Sequence, residues 1–446
     1  MVTTVTPVSE QLDRLHQQAG TRLDPWVESY AQRAQGFTAS AIRALFAVAS
    51  RPEVVSLAGG MPYVSALDAD QFADLTARVI REQGAVALQY GSGQGDQKLR
   101  EQIVEVTSLV GVNPHPDDIV VTPGSQMALE LVTKVFCDPG DTVLVESPSY
   151  VGALGVFRSY QCNVVHVAMD EDGLNPQALR EALLNNTRVK MIYTIPSFQN
   201  PAGLTQSQQR REEILAIAQE FGVPVLEDDP YSLLGFEGAP PQAIRALDDQ
   251  QVIYLGSFSK TIASGLRLGW VIAPHGVREK IVLAAEAATL CPSNFVQLTI
   301  SRYLAEQPWR EQIKTFQEIY RERRDALLES MQALLPAGTT WTIPAGGFYS
   351  WLTLPEGLDA TTMLPRAVAE LVAYVPGTGF YADGQGGRNL RLSYCYPDPD
   401  RIREGVRRLA AVVEQEIELV NTFGSSPTNP TKEPMNSVIT PQSDLN

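Results

Sequence analysis

The sequence predicts an α/β protein: a large unit built on a mostly parallel sheet, with a smaller α+β unit beside it. Three observations predict it. Short apolar runs alternate with helical patterns between residues 118 and 260. Beyond residue 305 the pattern changes to a long charged helix followed by short strands. A chain of 446 residues that is 44% hydrophobic is long and apolar enough for two packed units.

Each element has a local reason. Asp118–Val121 (DIVV) reads as a strand that leads through Thr-Pro-Gly-Ser into a helix over Gln126–Phe136, and Thr142–Val145 (TVLV) is the next strand. Val189–Ile195 (VKMIYTI) is another. The helix expected over Gln206–Phe221 puts Ile214, Ile217, Ala218 and Phe221 on one face. Val223–Leu226 (VPVL) and Val252–Leu255 (VIYL) continue the series. Strands alternating with helices imply crossover connections, a sheet covered on both faces, and ligands gathered at the strands' carboxyl ends. In the last part, Trp309–Leu335 is a helix with Ile313, Phe316, Ile319 and Tyr320 at helical spacing. Thr340–Ile343, Gly347–Leu354 and Asn389–Tyr394 are strands, and Asp400–Leu419 is a helix. The expected division is an N-terminal arm and part of the small domain (1–60), a large domain (61–305), a small domain (306–421) and a disordered tail (422–446). That tail is rich in Pro, Ser, Thr and Asn without apolar periodicity.

Composition narrows the function. The 35 basic residues against 51 acidic ones give a net charge of −16, which opposes binding to nucleic acid or anionic membrane. No apolar run reaches the roughly 18–20 residues that cross a bilayer, and the polar start MVTTVTPVSEQLDRLHQQ lacks the pattern of a signal peptide. The four cysteines are scattered without a CxxC pair, as in inert thiols of a reducing cytoplasm. With only 4 histidines and no cluster of them, no metal site is expected.

The chemistry lies just past the strand ends. Gly124-Ser125-Gln126 opens a helix after DIVV. Pro196-Ser197-Phe198-Gln199-Asn200-Pro201-Ala202-Gly203 follows VKMIYTI. Glu227-Asp228-Asp229-Pro230-Tyr231 follows VPVL. Gly256-Ser257-Phe258-Ser259-Lys260 and then Gly265-Leu266-Arg267 follow VIYL. These supply an amine, a carboxylate, an amide, a phenol, a helix N-terminus, two hydroxyls and a guanidinium, the inventory that pyridoxal 5′-phosphate requires. Lys260 is the amine for a Schiff base with the cofactor aldehyde. Asp228 is the acid that keeps the pyridine nitrogen protonated; Glu227 and Asp229 adjoin it, and the D-x-x-Y spacing to Tyr231 selects Asp228. Gly124, Ser125 and Gln126 with Ser257, Ser259 and Arg267 suit the phosphate. Asn200 and Tyr231 suit the ring's 3′-oxygen.

The order and spacing of these motifs resemble the fold-type I pyridoxal 5′-phosphate enzymes of the class I/II aminotransferase family, over about Ser40 to Leu419. Within that family the likeness is greatest to the 2-aminoadipate and kynurenine aminotransferase group. The strong part is S-F-S-K with an arginine seven residues on, preceded by Q-N-P-x-G and D-D-P-Y; Gly91-Ser92-Gly93-Gln94-Gly95 is weak and is not a dinucleotide motif. The resemblance implies the PLP-dependent transferase fold and a homodimer with shared active sites. By that resemblance Tyr90, in Leu88-Gln89-Tyr90, reaches the neighbouring subunit's cofactor phosphate, and Tyr150 stacks on the pyridine ring. Arg391, in Asn389-Leu390-Arg391-Leu392-Ser393, grips the substrate α-carboxylate, a role Arg388 could also fill. Gly60 lies in a glycine turn beside the substrate, and Arg43, in Ser40-Ala41-Ile42-Arg43, belongs to a substrate-contacting helix.

The expected function is cytoplasmic transamination between a broad range of L-amino acids (2-aminoadipate, aromatic or aliphatic) and a 2-oxo acid, with 2-oxoglutarate as acceptor. A lyase on the same scaffold is the nearest alternative, since fold does not decide chemistry. A cofactor-sensing regulator would need a basic winged-helix domain ahead of the resemblance, where only about forty residues stand.

Overall fold

The computed structural model describes residues 24, 26–35, 51–239 and 241–424. Arg43 and the rest of 36–50 lie outside the described residues, as does 425–446. In chain order the strands are β1 (Val55–Ser56), β2 (Ile119–Thr122), β3 (Thr142–Ser147), β4 (Asn163–Asp170), β5 (Gly173–Leu174), β6 (Val189–Thr194) and β7 (Val225–Asp228). They continue as β8 (Val252–Ser257), β9 (Gly269–Ile272), β10 (Thr340–Trp341), β11 (Tyr349–Thr353), β12 (Val372–Ala373), β13 (Val375–Pro376) and β14 (Asn389–Ser393).

The large sheet has the order β2-β9-β8-β7-β6-β3-β4-β5. Its middle, β8-β7-β6-β3-β4, is parallel. β9 runs antiparallel between β2 and β8, and β5 antiparallel to β4. Strands β2, β7 and β8 are buried along their whole length, which is why each opens on an apolar run without polar alternation. Alternate residues serve opposite faces. Val143 and Val145 pack into one core with Met191, Leu226 and Ile253, while Leu144 packs into another with Ile192, Val225 and Val252.

Two expected boundaries move for physical reasons. Strand β7 begins at Val225 rather than Val223, because Pro224 has no N–H for a central ladder. The preceding helix spans Gln208–Phe221, where the Ser207 side chain accepts from Arg210 N and Gly222 closes the end at φ 64°. Gln206, expected inside it, is a buried residue ahead of the cap.

The chain's two ends meet over this sheet. β10-β11-β14-β13 forms an antiparallel sheet, and β1 pairs in parallel with β12. Leu57 N donates to Ala373 O at 2.8 Å and Ser393 N to Leu57 O at 2.7 Å, which ties the turn that follows β1 to β14. Helices Trp309–Leu334 and Pro399–Phe423 pack together behind it. The last helix, capped by Asp398, takes in Thr422 and Phe423, which corrects the expected start of the tail at 422. No described helix is long and apolar enough to cross a membrane.

Candidate active site

The alternation of β7 sorts its three adjacent acids. Glu227 and Asp229 point one way and Asp228 the other. Glu227 accepts from the backbone N–H of Ile244 (2.9 Å) and of Arg245 (2.8 Å). Asp229 accepts from Ser232 N (3.1 Å) and from Tyr254 OH (3.0 Å). Asp228 lines a cavity of about 230 Å³. Its Oδ2 accepts from Tyr193 OH at 2.8 Å, and its Oδ1 is buried without a partner among the described residues. Burial pushes the Asp228 carboxyl up to about 7, opposed by the Tyr193 bond.

Across the cavity stands Lys260, three residues past the end of β8, its Nζ donating to Gly60 O at 3.0 Å. Burial pulls this amine down to about 8; Cys395 opposes the fall, Arg391 and Arg267 add to it, and Asp228 opposes it. Beside it the helix Ser125–Phe136 begins, with Gly124 at φ 84°. A Cβ on Gly124 would come within 2.5 Å of Arg267 Nη2 and would have to displace the guanidinium, and the positive φ itself favours glycine here. Arg267 Nη1 donates to Ser259 Oγ (3.3 Å), and Ser259 N donates to Ser257 Oγ (3.1 Å). Free N–H groups of a first helical turn, two hydroxyls and a guanidinium together form a cradle for a dianion. The Gln126 side chain points away from the cradle. It donates to Gly152 O and accepts from Tyr150 OH (3.2 Å), holding Tyr150 against the cavity.

The far wall is cationic. Arg391 Nη1 donates to Asn200 Oδ1 (2.8 Å) and Nη2 to Ala58 O (2.7 Å), while its buried Nε has no partner among the described residues. Its guanidinium carbon lies 4.2 Å from the centre of the Tyr349 ring. Arg388, the alternative, donates its Nε and Nη2 to Leu354 O and does not line the cavity. Tyr231 is buried with its hydroxyl 3.5 Å from that of Tyr349.

Gly60, Ser125, Tyr150, Asn200, Asp228, Tyr231, Ser257, Ser259, Lys260 and Arg391 thus share one cavity. Gly124, Gln126 and Arg267 adjoin it through the contacts above. Tyr90 does not reach it; its side chain is 76% exposed. Two contributors escaped the sequence reading, Tyr193 and Tyr349. A phenol in the buried half of an apolar strand must find a partner, and that need was the available signal for Tyr193.

The residues present fit pyridoxal 5′-phosphate on the structure's own terms: an amine of lowered pKa, an unpartnered carboxylate oxygen and a phosphate-sized cradle front the same space. Fold and site together define a pyridoxal 5′-phosphate-dependent enzyme of fold type I. The profile of the family "aminotransferase class I and II" matches residues 52–409. The aromatic-amino-acid aminotransferase 1 of Thermococcus litoralis is 38% identical, covering 87% of this chain and 94% of its own length. The 2-aminoadipate transaminase of Thermus thermophilus is also 38% identical, with 89% and 99% covered. The crystal structure of Pyrococcus horikoshii kynurenine aminotransferase, in complex with PMP, superposes with a TM-score of 0.85 at 36% identity, over 89% of this chain and 100% of that one. The chain belongs to the class I and II aminotransferase family and is a pyridoxal 5′-phosphate-dependent aminotransferase.

Proposed function

We propose that this aminotransferase has broad specificity for L-amino acids with 2-aminoadipate-like, aromatic or aliphatic side chains, and that 2-oxoglutarate is its preferred acceptor. The observation that carries the reading is one cavity with the Lys260 amine and the unpartnered Asp228 oxygen beside the Arg391 guanidinium. The names of the relatives, which span aromatic, 2-aminoadipate and kynurenine substrates, support the breadth.

When bound, the cofactor supplies an aldehyde that captures the substrate amine and a ring that takes up the electron pair left at Cα. The Lys260 amine would anchor it and, when free, would take up the proton lost from Cα. Asp228 Oδ1 holds the proton on the ring nitrogen, and Tyr193 keeps that carboxylate aimed. Ser125, the Gln126 N–H, Ser257, Ser259 and Arg267 would hold the phosphate around Gly124, and Tyr150 would pack against the ring. Asn200 and Tyr231 serve the 3′-oxygen. Arg391 fixes the substrate α-carboxylate, which orients Cα and favours deprotonation over decarboxylation. Gly60 lines the substrate side, and Arg43 is the second cation that receives an acidic side chain.

The reading includes a homodimer in the cytoplasm, in which Tyr90 completes the neighbour's phosphate site. Exposed Val86 and Leu88 precede it in sequence and support a buried role in an assembly. It also keeps the large domain at 61–305, with 1–60 and the chain from 306 to the end of the last helix contributing the smaller one.

A half-reaction screen tests this. Holoenzyme given an amino acid without an oxo acid stops after one turnover, its cofactor converted to the amine form. Conversion by only one of the three side-chain classes, or faster return of the aldehyde form by another 2-oxo acid than by 2-oxoglutarate, would overturn the proposal.

A further inference from the structure

Glu146 lies near the end of β3 with no exposed surface, and every partner of its carboxylate among the described residues is a neutral donor. Its Oε1 accepts from Thr194 Oγ1 (2.5 Å) and Gln206 Nε2 (3.2 Å). Its Oε2 accepts from Ile195 N (3.2 Å) and Gln199 Nε2 (3.0 Å). Burial pushes this carboxyl up to about 7, and all four donors oppose the rise. A buried carboxylate is costly unless such donors satisfy it, so its retention behind an active site asks for a reason.

Gln199 supplies one. It is 2% exposed, and both hydrogens of its amide are spent: one on Glu146, the other on Pro148 O at 2.8 Å. Its Oε1 accepts from Ala202 N (2.7 Å), its backbone carbonyl accepts from Gly203 N, and its own N–H donates to Leu204 O. Asn200, the next residue, presents Oδ1 to Arg391 from inside this closed turn. Pro148 also precedes Tyr150 by two residues, so one carboxylate pins the two loops that bring Tyr150 and Asn200 to the cavity.

We propose that Glu146, acting through Gln199, is a positioning residue for the substrate-carboxylate grip: the pair holds the 199–203 turn so that Asn200 orients the Arg391 guanidinium. The inference rests on the reading of Arg391 as the group that binds the α-carboxylate. Neither Glu146 nor Gln199 lines the cavity. The Gln199 amide is the link of the chain that can be cut without stranding four donors at once, and Gln199→Met cuts it at nearly constant volume. Glu146→Asp is the second variant; it keeps the charge and withdraws it by one methylene.

The test titrates holoenzyme with 3-phenylpropionate, an unreactive carboxylate, followed by the absorption of the bound cofactor, and measures KM and kcat in the half-reaction separately. Gln199→Met and Glu146→Asp are each expected to weaken 3-phenylpropionate binding and raise KM about tenfold, the scale of one charge-assisted contact, with kcat within about threefold and cofactor content unchanged. Normal binding in both folded variants overturns the proposal, as does a fall in kcat and cofactor content without a change in binding, which marks a merely structural residue. Arg391→Lys is the control. If it too binds 3-phenylpropionate normally, the grip reading itself fails; if it binds weakly while the other two variants bind normally, only the positioning role fails.

Discussion

Replacing Asp228 by Asn separates the acid at the ring nitrogen from its neighbours. The substitution preserves shape and leaves an oxygen for Tyr193, now at 2.8 Å from Oδ2. It removes the charge from the oxygen that has no partner among the described residues. A hydrogen bond to a charged group contributes about 1.5–3 kcal/mol, and loss of one preorganised electrostatic partner costs about 10²–10³ in kcat. The expected loss in the single-turnover half-reaction is therefore about 10²-fold or more, measured at matched cofactor occupancy. Asp229→Asn is the internal control. Its oxygens accept from Ser232 N and Tyr254 OH on the other side of the strand, so turnover should stay within about threefold while stability falls by about 1 kcal/mol. Tyr193→Phe removes the bond that aims Asp228 and should cost about tenfold, roughly 1.4 kcal/mol. Equal losses for the Asp228 and Asp229 variants, or an Asp228→Asn enzyme with near-normal turnover, would refute the assignment and the alternation argument with it.

Three further outcomes are expected. Lys260→Ala should abolish covalent cofactor retention, and borohydride reduction of the wild type should fix the cofactor mass to the peptide containing Lys260; because burial lowers this amine to about 8, cofactor loading of the apoprotein should accelerate as pH rises through that value and level off above it. Asp228 in the folded apoprotein titrates at about 7, above the roughly 3.9 of an unfolded chain, so between these values the unfolded state is ionised while the folded state is not. Apoprotein stability should then fall as pH rises through that window, and thermal melts of Asp228→Asn should show a shallower fall, with Glu146 and Glu227, also raised to about 7, sustaining the remainder. Arg43→Ala should raise KM for acidic substrates at least about tenfold, about 1.4 kcal/mol of charge-assisted contact, with aromatic and aliphatic substrates nearly unaffected; an equal loss for both classes would make Arg43 structural.

The class of fold and the strand-end chemistry were legible because both are local. A parallel strand buried on both faces must be an apolar run, and the loop that follows carries its functional groups at short spacings, as in Ser257 to Lys260 and Asp228 to Tyr231. The antiparallel β9 was missed because its four residues, Gly269–Ile272, carry no turn signal that marks direction. β4 was missed because much of it is only partly buried, and its apolar run is broken by His166.

What the sequence by itself determined was the set of chemical groups and their order along the chain. Only the tertiary structure decided which groups meet. Tyr193 lies 35 residues from Asp228, and Asn200 lies 191 residues from Arg391; no local pattern couples such pairs, because their proximity is created by strand crossovers and by the two chain ends closing over the sheet. The same holds for the choice among three adjacent acids. Each is a carboxylate beside a turn in the sequence, and it is the face of β7 toward the cavity that leaves an Asp228 oxygen free while backbone and phenol donors occupy Glu227 and Asp229.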